Sequence, residues 1–263
     1  MEIKIPTIEG LTLKTKGTYV EDDISITIGI PHYKNESQGV VSSEFDRYLS
    51  GELTEIYNDH ITYLAKGRFD KHTEITAVSM PNLVEAAADA FAECTSLKTI
   101  YFPKLEKITS NFLEGCSSLD KKLVLPSLKT IGGQFLTNSS VEILSLPAIT
   151  KYPGRALYGA NKLTTLHIPN ATSIDDYAFY HAHVLKKVVI EQENAVCTLA
   201  SGSNVFKYAY HFIGEVNETY NPEGLRDGVF YVPDNLVNRY KAATNWSVFA
   251  DQIKPLSEYV EEE

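Results

Sequence analysis

The sequence predicts an α/β-type solenoid, mostly β, in which short strands from successive coils stack into one parallel sheet. A β-module precedes the sheet and a strand-plus-helix cap closes it. Three observations carry this reading. Leu53, Ile75, Leu97, Leu119, Val141, Leu163 and Leu185 stand 22 residues apart in an unbroken column. Pro81, Pro103, Pro126, Pro147 and Pro169 end short apolar runs at spacings of 22, 23, 21 and 22. Both chain ends fall outside that register. The expected layout is an N-terminal module over residues 1–50, a solenoid over 51–190 and a capping region over 191–263.

Each coil follows from simple chemistry. Beside the leucine column runs a second, Ile56, Val78, Ile100, Leu123, Leu144, Leu166 and Val188, and a third that is mostly aromatic, Phe69, Phe91, Phe112, Phe135, Leu157 and Phe179. Twenty-two residues cannot bury so many large side chains alone, but stacking buries each against its copy in the next coil. Ile100 and Phe102 alternate with Thr99 and Tyr101, the period of a strand. Pro103 then removes the N–H a ladder would need. Equivalent strands advance the same way and so run parallel, over residues 56–57, 78–80, 100–102, 123–125, 144–146, 166–168 and 188–190. The third unit carries one extra residue at Lys121-Lys122-Leu123, and the fourth is one shorter.

At the N-terminus, Ile24, Ile26, Ile28 and Ile30 alternate with polar residues and read as a half-buried strand. Residues 2–8 and 11–16 also read as extended, and Ser43-Glu44-Phe45-Asp46 resembles the start of a short helix. A module of about forty residues makes a poor core alone, so residues 1–38 are expected to join the protein to itself or to a carrier, the alternative being that their strand packs on the first coil as an N-cap. At the other end, Val229-Phe230-Tyr231-Val232 reads as a strand. Residues 235–243 read as a helix burying Leu236, Val237 and Tyr240, and residues 245–253 as a second apolar element.

The repeat, with Phe91-Ala92-Glu93-Cys94-Thr95-Ser96-Leu97-Lys98-Thr99-Ile100 as its clearest copy, resembles the BspA-like leucine-rich repeat family. The coil ending at Pro169 departs, with Leu157 for Phe and Ala160 for Cys. The stretch from Leu11 to Ile24 is similar to a segment of tail-associated proteins in phages and prophages of gut Firmicutes, and Phe230 to Tyr259 resembles the module that closes many BspA-like proteins. The resemblance implies a repeat solenoid that binds other molecules.

Composition narrows the partners. The net charge of -10 argues against nucleic acid, whose phosphates call for a basic surplus. No apolar run reaches the roughly 20 residues of a membrane span. The start, Met1-Glu2-Ile3-Lys4-Ile5-Pro6, lacks the basic and apolar regions of a secretory signal. Three cysteines are too few for a disulfide scaffold. Cys94 and Cys116 share a column and would lie about 5 Å apart at Cα, yet that column takes small buried side chains, so both are expected reduced.

No phosphate loop, nucleophile elbow, H-E-x-x-H or dinucleotide fingerprint occurs, so the chain reads as non-enzymatic with no cofactor. His181-Ala182-His183 offers two imidazoles with no third ligand at suitable spacing, so no metal is expected. Two surfaces remain. Strand alternation points Ala77, Ser79, Thr99, Tyr101, Lys122, Val124, Ile143, Ser145, Thr165, His167, Lys187 and Val189 outward. An aromatic group of Tyr177, Tyr180, His181 and His183, with Tyr208, Tyr210 and His211 a coil later, offers area and hydroxyls at low entropy cost. The alternative for these rings is packing under the cap. The expected function is a non-enzymatic interaction or adhesion module that binds protein or a cell-surface glycan. As a virion protein in a tail or decoration role it would also touch other virion proteins and form a homo-oligomer through residues 1–38. The alternatives are a BspA-type bacterial surface adhesin binding host matrix protein, and a purely structural spacer. The expected location is the virion, or the bacterial surface in the alternative; neither nucleic acid nor membrane insertion is expected.

Overall fold

The computed structural model describes residues 54–200 and 202–261. The expectations for residues 1–38, for the strand at 24–30 and for the helix near 43–50 lie outside the described residues.

Every coil contributes a three-residue strand, and in five of the seven a proline stands two residues after its last residue. These are β1 (Glu55–Tyr57), β3 (Ala77–Ser79), β5 (Thr99–Tyr101), β7 (Lys122–Val124), β8 (Ile143–Ser145), β10 (Thr165–His167) and β12 (Lys187–Val189). Most coils add a two-residue strand on the opposite side: β2 (Tyr63–Leu64), β4 (Glu85–Ala86), β6 (Lys107–Ile108), β9 (Lys151–Tyr152), β11 (Ser173–Ile174) and β13 (Thr198–Leu199). All strand pairs are parallel, and Ile56↔Val78↔Ile100 reproduces the 22-residue register. β1 ends at Tyr57 as the sequence predicts, and the other six front strands end one residue earlier. The residue before proline leaves the strand but keeps its bond, as Met80 N–H donates to the Tyr101 carbonyl at 3.1 Å.

The front sheet is not continuous, contrary to expectation. It divides into β1-β3-β5 and a six-stranded sheet that includes β7, β8, β10 and β12. The break falls at the extra residue. Leu97 and Leu119 keep the 22 spacing, but Ile100 and Leu123 stand 23 apart. Asp120 N–H still donates to Lys98 O at 2.9 Å, after which the two chains stop pairing. Thr99 Oγ1 donates across the gap to Asp120 Oδ2 at 3.2 Å. The opposite ladder breaks one interface later. Lys107 bridges Thr130, but Thr130 does not pair with Lys151, 21 residues on. Here Gly132 lies so close to the previous coil that a Cβ would meet Thr109 C at 2.5 Å.

The cap lengthens the six-stranded sheet. β14 (Val229–Val232) pairs with β12, and β15 (Ile253–Pro255) pairs with β14. Between them run a 3₁₀ turn (Asp234–Leu236), a helix over Val237–Ala242 and a longer 3₁₀ segment (Ser247–Gln252). Leu236 and Tyr240 are buried as expected, Val237 is half-buried against the core, and the helix begins two residues later than the expected 235. Trp246 Nε1–H donates to Cys197 O at 2.6 Å, and Cys197 N–H donates to the Tyr240 hydroxyl at 2.9 Å. Cap and last coil are thus tied by buried polar contacts as well as apolar area.

A file of rings runs through the core. Phe69 and Phe91 stack at 5.0 Å, Phe91 meets Phe112 edge-on at 5.5 Å, and Phe112 reaches Phe135 at 6.4 Å. Where Leu157 replaces the ring, Tyr152 turns inward and packs on Phe179 at 6.0 Å. Phe179 meets Phe206, which joins Phe212, Phe230 and Phe249 in the cap. The cysteine column has a polar role that the sequence conceals. Cys94 Sγ–H donates to Phe69 O at 2.9 Å and Cys116 Sγ–H donates to Phe91 O at 3.1 Å, each reaching back one coil. All three cysteines are free and buried, and burial pushes Cys94 and Cys197 up to about 12.

Truncation of Phe91 to Ala is expected to cost roughly 3–5 kcal/mol in chemical denaturation, because the neighbouring rings cannot close the cavity. Gly132→Ala should destabilise by about 1–3 kcal/mol through the clash with Thr109, whereas Gly133→Ala, nearest to Arg155 O at 3.4 Å, should change stability far less. Thiol titration should count no reactive group in the native protein and three after unfolding; a disulfide would leave one.

Candidate functional site

The predicted front-face residues do not form one surface. Thr99 and Tyr101 lie on β5, across the break from Lys122 on β7. Tyr101 is 53% exposed and Val124 beside the break is also exposed. Ile143, His167 and Lys187 are half-buried. Ala77, Ser79, Thr165 and Val189 were expected to face solvent but are buried, Thr165 to 2% and Val189 to 1% exposure. For Val189 the cause is visible. It lies between His167 and Tyr231 in the sheet register, and the Tyr259 ring sits against both, at 5.4 and 5.1 Å. The tail after β15 therefore crosses the front of the sheet. Burial lowers the pKa of His167, although Glu261 and Glu191 pull it the other way.

The aromatic residues do come together. Tyr158 stacks on Tyr180 at 5.4 Å, Tyr180 meets Tyr177 and Tyr208 at 5.4 and 5.3 Å, and His181 stacks on Tyr208 at 4.7 Å. His183 meets Tyr210 at 5.4 Å and Tyr220 at 4.3 Å. The group is a ladder of eight contiguous rings, most of them half-buried. Because the rings lean on one another, they offer edges and hydroxyls outward more than faces. Arg155 and Lys207 place cationic groups 6.0 and 5.5 Å from the Tyr158 and Tyr208 rings. Sequence reasoning missed Tyr158, although it stands 22 residues before Tyr180, and Tyr220, which no register marks. His211 does not join; it is buried against Asp227 and held in the cap.

The backbone beneath the ladder is unusual. Each coil from Gly67 to His181 makes two left-handed turns and the coil of Tyr208 makes one, and hydrogen bonds link the equivalent turns of successive coils, as from Gly159 N–H to Tyr180 O at 3.0 Å and from His181 N–H to Lys207 O at 3.1 Å. One column of such residues is Gly67, Asp89, Asn111, Gln134, Arg155 and Tyr177; the other is Lys71, Glu93, Gly115, Asn138, Gly159, His181 and Tyr208. Glycine, Asn and Asp suit this backbone, and the remaining early positions carry long flexible chains. Only the last coils place rings there, Tyr177, His181 and Tyr208 with φ of 62°, 61° and 62°. Tyr220 is set by a local turn, in which Asn217 Oδ1 accepts from Thr219 N–H and Tyr220 N–H at 3.1 and 3.0 Å. Asn221, buried, ties the same loop to Tyr210 O, Glu215 O and Leu225.

The histidines of the ladder form one unit. His181 Nδ1 and His183 Nε2 share a hydrogen bond of 2.8 Å. Burial, then the neighbouring His181, holds His183 down to about 4, and burial with Lys207 lowers His181. Both are neutral at pH 7, so the ladder offers neutral donors and acceptors. Among the described residues no three or more His, Cys, Asp or Glu side chains are grouped to hold a metal ion, and no helix is long and apolar enough to cross a membrane.

Comparison with known proteins identifies the repeat. The family model for the BspA type leucine-rich repeat region, with six copies, matches residues 42–156 and 87–213. The chain belongs to this BspA-type family. Among solved structures, a leucine-rich repeat protein from Bacteroides ovatus aligns at a TM-score of 0.50 with 20% identity, over 70% of this chain and 50% of its own. The T. pallidum leucine-rich repeat protein aligns at 0.49 with 19% identity, over 71% and 78%. The pneumococcal vaccine antigen PcpA aligns at 0.44 with 17% identity, over 80% and 42%. No curated protein matches the chain. The chain thus spans half the length of the Bacteroides relative, and at 20% identity that likeness shows the leucine-rich repeat fold alone.

The histidine pair makes stability depend on pH. Below about 6.5 the unfolded chain takes up a proton that folded His183 accepts only near 4, so stability declines as pH falls through that window. His183→Gln should flatten this part of the profile of melting temperature against pH, relative to the unaltered protein.

Proposed function

We propose that the chain is a non-enzymatic adhesion module whose contact surface is the ring ladder over the last coils, and whose target is a protein or glycan on another surface. One observation carries the reading. Three rings of the ladder stand on left-handed backbone, where early coils place Gly, Asn, Asp or flexible chains. Such backbone costs a non-glycine residue about 1–2 kcal/mol. Strain of this kind concentrates at functional sites, and packing alone gives no reason to put bulky rings there. Membership of a repeat family that commonly builds interaction surfaces supports the same reading.

The proposed setting is a phage or prophage particle, in a tail or decoration role. It is supported by the resemblance of residues 11–24 and 230–259 to proteins of that kind. A bacterial surface adhesin is the alternative setting. The genes beside the coding sequence separate them: tail and lysis genes favour the particle, surface and export genes the cell surface.

Binding of labelled protein to intact bacterial cells and to immobilised matrix protein tests the site. Tyr180→Ala and Tyr208→Ala should each weaken binding at least tenfold. His181→Gly should do so while largely keeping the melting temperature, because glycine relieves the left-handed backbone as the ring contacts are lost. Undiminished binding by all three variants would exclude the ladder as the contact surface.

A further inference from the structure

We propose that the front of the six-stranded sheet is a peptide-binding groove that the chain's own tail occupies. In place of the tail it accepts an extended partner segment bearing an aromatic hydroxyl and, two residues later, a carboxylate. The tail itself displays the recognition chemistry. It leaves β15 through a 3₁₀ turn, Leu256–Glu258, pinned where Ser257 N–H donates to Asp234 Oδ1 at 3.0 Å. Tyr259 then lies over Val189, flanked by His167 and Tyr231, with its hydroxyl 2.9 Å from His167 Nε2. Val260 turns to solvent, 75% exposed. Glu261 Oε1 reaches Lys122 Nζ at 3.0 Å, two strands beyond His167 in the sheet order. Alternate side chains are thus read and the one between is not, as the two-residue period of an extended segment requires.

Two features mark the groove as exchangeable. The outer contact is an ion pair between side chains that are half and two-thirds exposed, which holds weakly in water. In the same register row as Lys122, Thr165 Oγ1 is buried without a hydrogen-bond partner. A partner segment with an acceptor over Thr165 would satisfy a group that the tail leaves unmet. The tail holds its place through attachment to the same chain, which gives it an effective concentration on the order of millimolar.

The test uses the full chain and a fluorescein-labelled peptide copying residues 254–261. The unaltered protein should bind it weakly, because its tail competes. Tyr259→Ala combined with Glu261→Gln should raise the affinity at least tenfold, read by fluorescence anisotropy. Adding His167→Ala should abolish that gain, and a peptide with Phe for Tyr and Gln for Glu should bind poorly throughout. Melting temperatures confirm that each variant is folded, and Tyr259→Phe with Glu261→Gln serves as the milder pair. No gain on weakening the tail, or a gain that survives His167→Ala, overturns the proposal. So does a tail-dependent dimer of the unaltered protein, which would make the tail an exchanged subunit element.

Discussion

The structure depends on one constraint: each coil must place its apolar residues over those of the coil before, at the spacing that parallel strands impose. The phenylalanine file shows how strictly this is met. Rings in the same column stack, tilt or turn edge-on within 6.4 Å of each other from Phe69 to Phe135. When the column loses its ring at Leu157, a tyrosine from the adjacent column fills the space. The buried thiols serve the same stacking, since Cys94 and Cys116 each satisfy a carbonyl of the coil behind.

Function is left to what stacking does not use. The front of the sheet is nominally free, but the tail covers its C-terminal half, so a surface that alternation marks as open is already occupied. The outward turns are freer. They offer one or two left-handed positions per coil, and the last coils fill them with rings that neither core nor sheet requires. The ladder and the groove therefore draw on different columns of the same coils, and neither needs the other to form.

The repeat was legible because its columns are spaced by physics: a buried position recurs wherever a coil recurs. The strand-plus-helix cap was legible for a similar reason, as Leu236, Val237 and Tyr240 follow helical spacing. Contacts between parts without a shared register stayed hidden. Nothing in the sequence near Tyr259 or Glu261 points to His167 and Lys122, which lie 92 and 139 residues away. Tyr220 was missed for the same reason, because its place is set by Asn217 and Asn221. The extra residue near Lys121 was visible, but its consequence for pairing was not, since the leucine column runs through it unchanged.

That extra residue has a mechanical side. The front ladder is cut between β5 and β7, where Lys107 still bridges Thr130 on the opposite side. The opposite ladder is cut one interface later, where β7 and β8 are paired on the front. The two gaps are staggered like joints in brickwork. A bending or pulling load along the axis meets at least one intact row of backbone bonds at every course, so the irregular coil is a place to flex and not a plane of cleavage.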